Sequence, residues 1–216
     1  MRKSNAIILS LALAAIGLVA APHIAAAENM SHAHMGHVTD TWGDTPDGKG
    51  LLPTAMAEAE IAAQHAGFAA SKPDDLEWMQ THTRHVLHAI DPALEANGPG
   101  LGYGVVAAAG GAAAHINYAS ASDDASDNVR THAVHVATAS ENAVARAEEI
   151  TALAKMVLSA TDAANAAGHV NQIVMLTGQI TAGDDADGDG KVSWKEGGLD
   201  TAKAHMGYMA KGEGMD

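Results

Sequence analysis

Four carboxylates and a glycine near the C-terminal end of this 216-residue chain have the spacing that a hard cation needs. Asp185, Asp187, Asp189 and Glu196 occupy positions 1, 3, 5 and 12 of a twelve-residue segment, with Gly190 at position 6. Ca²⁺ takes about 6–8 oxygen ligands, and a short segment supplies them only if alternate side chains point inward before a sharp turn. Gly190 permits that turn because it lacks a Cβ. Imidazole is the second chemistry on offer. The chain carries 13 histidines, and neutral imidazole suits Zn, Cu, Ni and Fe alike. Cysteine is absent. That excludes disulfides, thiolate metal sites, iron–sulfur clusters, covalently attached haem and cysteine nucleophiles.

Segment 185–196 resembles the calcium loop of the EF-hand family. The resemblance implies one Ca²⁺ held by Asp185, Asp187 and Asp189, the Lys191 carbonyl, Ser193 directly or through water, and both Glu196 oxygens. It also implies that Val192 packs the loop against its surroundings. Two features depart from a paired hand. Gly183 should end the approaching helix early, and the sequence offers no second loop. A sensor that opens a groove needs the coupled helix pair, so a structural staple of extracellular type is expected, binding at about 10⁻⁴–10⁻³ M. Segments 130–136 and 196–209 further resemble helical, histidine-rich secreted bacterial proteins, a likeness that names no activity.

The N-terminus suggests where such calcium is met. Arg2 and Lys3, an apolar run from Ala6 to Ala20 and the small residues Ala25 to Ala27 read as a signal peptide over 1–27, and hence a periplasmic or secreted protein. Its removal leaves 10 basic and 26 acidic residues, a net charge of −16 with neutral histidine. That balance argues against nucleic acid and anionic membrane surfaces as partners and favours metal ions. No later stretch is long and apolar enough to cross a membrane. A protein partner is not indicated.

Positioning these groups falls to helices. Residues 28–52, polar and punctuated by Gly and Pro, read as a flexible arm bearing His and Met; residues 53–216 read as one helical bundle domain that includes the loop 185–196. Alanine dominates with little β-branched alternation, which predicts an all-α bundle of about five to six helices. They are expected over 53–70, 73–90, 104–119, 125–160, 162–181 and 194–210.

His65, His82, His115, His132, His135, His169 and His205 fall on or beside the apolar stripes of these helices. A buried imidazole without a partner is costly, so a shared ligand between helices, a transition metal or haem, would satisfy several at once. His82, His85 and His88 follow one another at steps of three, each a rotation of about 300°. At most two of them can meet one ion; His82 is nearest the stripe, and His85 and His88 point away. On the arm, Met30, His32, His34, Met35 and His37 form a mixed thioether–imidazole set suited to copper. The absence of Glu-x-x-His pairs argues against a di-iron centre. Gly110 and Gly111, with the alanine surfaces, would admit the flat macrocycle of haem b. No hydrolase, metalloprotease, phosphate-loop or dinucleotide signature is present, which argues against an enzyme.

The reading is therefore a periplasmic calcium-binding protein with an EF-hand-type loop and an inter-helix histidine site for Cu, Zn, Ni or Fe, serving binding, storage or delivery. The alternatives are a b-type haem electron-transfer protein and a calcium-stabilised interaction module without a transition metal.

Overall fold

The computed structural model describes residues 29–215; the segment read as a signal peptide lies outside them. All regular structure among the described residues is helical: α1 (Met30–Thr39), a short 3₁₀ turn (Pro46–Gly48), α2 (Leu51–Ala70), α3 (Leu76–Ile90), α4 (Val105–Ala121), α5 (Asp127–Ser159), α6 (Ala163–Ala182) and α7 (Leu199–Glu213). The protein is an all-α helical bundle. Its starts are written in the sequence. The side chains of Asn29, Asp75, Ser126 and Asp162 accept from the backbone N–H groups of His32, Trp78, Val129 and Asn165, satisfying donors that a helix N-terminus leaves open. α5, with 33 residues, is about 50 Å long and forms the spine, packing against α3, α4, α6 and α7.

The core is built from small residues. Alanines of α2 (Ala55, Ala59, Ala62, Ala66), α4 (Ala108, Ala109, Ala112) and α5 (Ala139, Ala143, Ala147) are fully buried, joined by Ile90, Ile116, Ile150 and Ile180. No aromatic ring belongs to the buried core of the described residues. Close helix approach replaces aromatic bulk. At Gly111 an added Cβ would lie 2.9 Å from Leu51 Cδ2. That glycine therefore marks tight α4–α2 packing, and the surface expected to admit a macrocycle is filled by Leu51.

The described chain has seven α-helices where about five to six were expected, the additional one being α1, which lies within the stretch expected as an arm. α1 packs on α4 and α2 with Met35 and Val38 buried. The Asp124 carboxylate accepts from the N–H groups of Met30 (2.7 Å) and Ser31 (3.1 Å), fixing the start of α1. Its Ser, Gly and His content hides the helix because the buried face has only two apolar residues. The last helix begins at Leu199 rather than near 194, since Trp194 to Gly198 are taken up in closing the preceding loop. Elsewhere the Gly-rich link between α3 and α4 is pinned by Glu58. This buried carboxylate accepts from the N–H groups of Leu101 (3.1 Å), Tyr103 (3.0 Å) and Gly104 (2.9 Å).

Candidate metal centres

Two histidines three residues apart on a helix differ by about 60° in direction and lie on one face. The chain has such a pair on α1 (His34, His37), on α3 (His82, His85) and on α5 (His132, His135). Each pair is met by a single histidine from a neighbouring helix: His115 of α4, His65 of α2 and His205 of α7. The result is three separate trihistidine groups in which the ligand atoms lie within 4.8 Å of one another.

The lone histidine is the hub of each group. The Nδ1 atom of His115 lies 3.0 Å from that of His34 and 3.2 Å from that of His37. His65 is 3.0 Å from His82 and 3.2 Å from His85 by the same atoms, and His205 is 2.9 Å from His132 and 3.2 Å from His135. Ring positions repeat as closely. The hub ring lies 5.2 Å from the first ring of the pair in all three groups, and 4.9, 4.7 and 4.4 Å from the second, set edge-on to it. An ion bonded at about 2.0–2.1 Å to tetrahedrally placed nitrogens would separate each pair by about 3.3 Å. The three groups can therefore each hold a metal ion with little movement.

Aromatic rings border every group, and one of the two borders repeats in position. The residue three beyond each hub is aromatic: Tyr118, Phe68 and Tyr208 pack against hubs His115, His65 and His205 at 5.7, 5.3 and 5.5 Å. A tryptophan adds a second border. Trp42 lies 4.4 Å from His115 and 4.9 Å from His37, Trp78 lies 4.3 Å from His82, and Trp194 lies 4.4 Å from His135. The Trp78 indole N–H donates to the Phe68 carbonyl at 2.6 Å, locking that ring to the end of α2. Burial favours the neutral, ligand-competent form of the three hub imidazoles. His65 is pushed down to about 4 by desolvation first, then by His85 and His82. Desolvation also lowers His115, with His37 and His34 adding to it, and His205, with His135 and His132.

Several sequence-based candidates fall elsewhere. His169 is half-buried on α6 and joins no group; a place beside an apolar stripe brings no second imidazole. His32 donates from Nε2 to Glu213 Oε2 at 3.1 Å, outside the α1–α4 group. Met30 is exposed, and Met35 is buried where it lines a cleft with Met56, Met206 and Met215, so the copper set expected on the arm is reduced to His34 and His37. His85, expected to point away, is a full member of the α2–α3 group. His88 is buried and pairs with the Glu95 carbonyl at 2.8 Å. The tryptophans were not singled out by sequence reasoning. The available signal was the His-x-x-His spacing on three separate helices together with the three hubs followed at the third residue by Tyr or Phe.

Segment 185–196 links α6 to α7. Gly183, with φ +90°, ends α6, and a Cβ there would lie 2.6 Å from the Glu196 carbonyl; only glycine lets the two ends of the loop meet. Asp185, Asp187 and Glu196 bring carboxylate oxygens together, and Asp189 stands outside that group. The carboxylates hold the loop's own backbone. Asp185 accepts from the N–H groups of Asp189 and Gly190, Asp189 accepts from Lys191, and Glu196 accepts from Ala186, Asp187 and Ser193 and from the Ser193 hydroxyl. Those bonds, the Ser193 hydroxyl first, hold Glu196 below the usual carboxylate range. Val192, expected to be covered, is 44% exposed. The closing end of the loop is tied to α5: Arg146 donates to the Glu196 carbonyl (2.9 Å) and Asn142 to the Lys195 and Gly197 carbonyls (2.8 and 3.1 Å). Through Trp194 this loop also borders the α5–α7 group.

Compared with protein-family models, with curated proteins and with solved structures, the chain gives no match.

Proposed function

We propose that this is an extracytoplasmic metal-binding protein that holds up to three transition-metal ions, one at each trihistidine group, for storage or delivery. The observation that carries this reading is the repetition. One chance meeting of three imidazoles is unremarkable; the same hub, the same pair spacing and the same Tyr or Phe beside the hub on three different helix pairs is a built unit. Binding is favoured over catalysis because aromatic rings, rather than acids, bases or a substrate-sized opening, border each group. Haem is disfavoured by spacing. Axial nitrogens on opposite faces of a haem iron stand about 4 Å apart, twice a metal–nitrogen bond of about 2 Å, whereas these Nδ1 atoms lie 2.9–3.2 Å from their hubs.

Ca²⁺ in the loop 185–196 complements this reading as a brace. The convergence of Asp185, Asp187 and Glu196 and the tie of that loop to α5 support it, and a cation there would offset the mutual repulsion of the carboxylates. The signal-like N-terminal sequence supports a periplasmic or secreted location, where millimolar calcium fits such a site.

Metal content of untagged protein loaded with Cu or Zn tests the proposal. Three ions per chain are expected, falling to two in each of His65→Ala, His115→Ala and His205→Ala. No uptake at micromolar metal, or undiminished stoichiometry in the hub variants, would overturn it.

A further inference from the structure

Resting on the trihistidine reading above, we infer that the three groups are built for a monovalent, three-coordinate ion, Cu(I), with an indole in place of a fourth ligand. Charge is the first argument. The chain has 26 acidic residues, yet among the described residues no carboxylate joins any of the three histidine groups, and the one histidine–carboxylate ion pair is at His32, outside them. Three neutral imidazoles leave the full charge of the ion uncompensated. The cost of desolvating an ion grows with the square of its charge, so a dication pays about four times what a monocation pays in such a place.

Coordination number is the second argument. Zn²⁺ completes a tetrahedron with a fourth protein ligand or a water. Among the described residues no fourth histidine or carboxylate reaches any group; an indole stands on one flank, and the exposed rings of Tyr118, Phe68 and Tyr208 stand on the outer one. An indole has no lone pair to give, but its π face attracts a cation best among the side chains. Cu(I) suits soft and imidazole ligands and is content with three of them.

The distribution of aromatic residues is the third argument. All three tryptophans of the chain stand at the three groups, and the buried core holds none. A bundle short of aromatic bulk would ordinarily spend its indoles on the core, where each buries about 150–250 Å². Their placement at half-buried imidazoles, one per group, points to a role there.

The experiment is a pair of anaerobic competition titrations of the full chain, Cu(I) against a chromophoric Cu(I) chelator and Zn(II) against a Zn(II) chelator, with indole emission followed in parallel. Three Cu(I) per chain are expected, each at least a hundredfold tighter than Zn(II), with stepwise quenching of tryptophan emission. Trp42→Leu, Trp78→Leu and Trp194→Leu should each weaken Cu(I) at one group about tenfold while leaving Zn(II) unchanged; the corresponding Phe variants, which keep a ring, should recover part of the loss and control for folding. Three Zn(II) bound more tightly than Cu(I), or Leu and Phe variants with unaltered Cu(I) affinity, would overturn the inference and leave the trihistidine reading standing. Uptake of neither ion would overturn both.

Discussion

The α2–α3 and α5–α7 groups present the same three rings in the same arrangement, but the chain assembles them differently. In the first, hub His65 lies 17 and 20 residues from its partners, and the bordering Trp78 sits on α3 itself, one turn before His82, held by its own hydrogen bond to Phe68. In the second, hub His205 lies 73 and 70 residues from His132 and His135, and the bordering Trp194 belongs to the loop 185–196. Chain entropy separates them little: closing 73 residues instead of 20 costs about 1 kcal/mol more. What separates them is the source of the fourth wall. One is rigid with its hairpin, and the other is only as well placed as the acidic loop that carries it, for which a bracing cation is proposed. The same site is thus built once as a local unit and once as a conditional one.

The largest expected break in this symmetry comes from the calcium proposed for the loop. Removing it with a chelator, or by Glu196→Ala, should release Trp194 from His135 and lower transition-metal affinity at the α5–α7 group about tenfold, the scale of one desolvated cation–π contact. The α2–α3 group should be unaffected. Emission of Trp194 alone, in a Trp42→Phe/Trp78→Phe background, reads the first; stoichiometry at limiting metal reads the second. Equal weakening at all groups would mean that calcium acts on the bundle as a whole and that the two groups do not differ as described.

Much of this scaffold is legible in the sequence, and the difference between what is and is not legible is physical. α2 to α6 are read within a few residues because Pro53, Asp91-Pro92, Asp162 and Gly183 punctuate runs whose alanine content and apolar period leave no competing structure. α1 escapes because its two buried apolar residues make too weak a stripe, and because what fixes its start, Asp124, lies more than 90 residues away. For the sites, the half carried on one helix is visible as spacing, as at His82 and His85. The other half is a tertiary meeting: nothing local in the sequence says that His115 faces His34 rather than His169, which joins no histidine group among the described residues. The tryptophans were hidden by a general habit of proteins, since scarce aromatic residues are ordinarily core residues and here they are not.

Acid should sharpen the comparison next. With its folded-state value at about 4 against 6.5 when unfolded, His65 leaves the folded metal-free chain with fewer bound protons than the unfolded chain between those values. Stability therefore declines as pH falls from 6.5 toward 4 and levels off below it. Burial is the main cause, so a neutral replacement removes the effect. His65→Gln should flatten the fall in urea midpoint between pH 7 and pH 4.5 more than His205→Gln does. A flatter profile in His205→Gln than in His65→Gln would place the stronger desolvation at the conditional group and reverse the ranking drawn between them.

The smallest expected effect isolates the indole N–H from the indole ring. Trp78→Phe keeps a ring against His82 but removes the donor to the Phe68 carbonyl, a neutral hydrogen bond worth about 0.5–1.5 kcal/mol of stability. It also removes the indole face on which Lys72 Nζ rests at 3.6 Å. Trp194→Phe deletes no such bond among the described residues. The metal-free Trp78→Phe protein should lose stability by that amount while Trp194→Phe does not, with both read from denaturant midpoints in the presence of calcium. If Trp194→Phe proves the more destabilising, then the ring from the loop is the one that supports the fold. The α2–α3 group would then owe its rigidity to the hairpin backbone, with no contribution from the lock at Phe68.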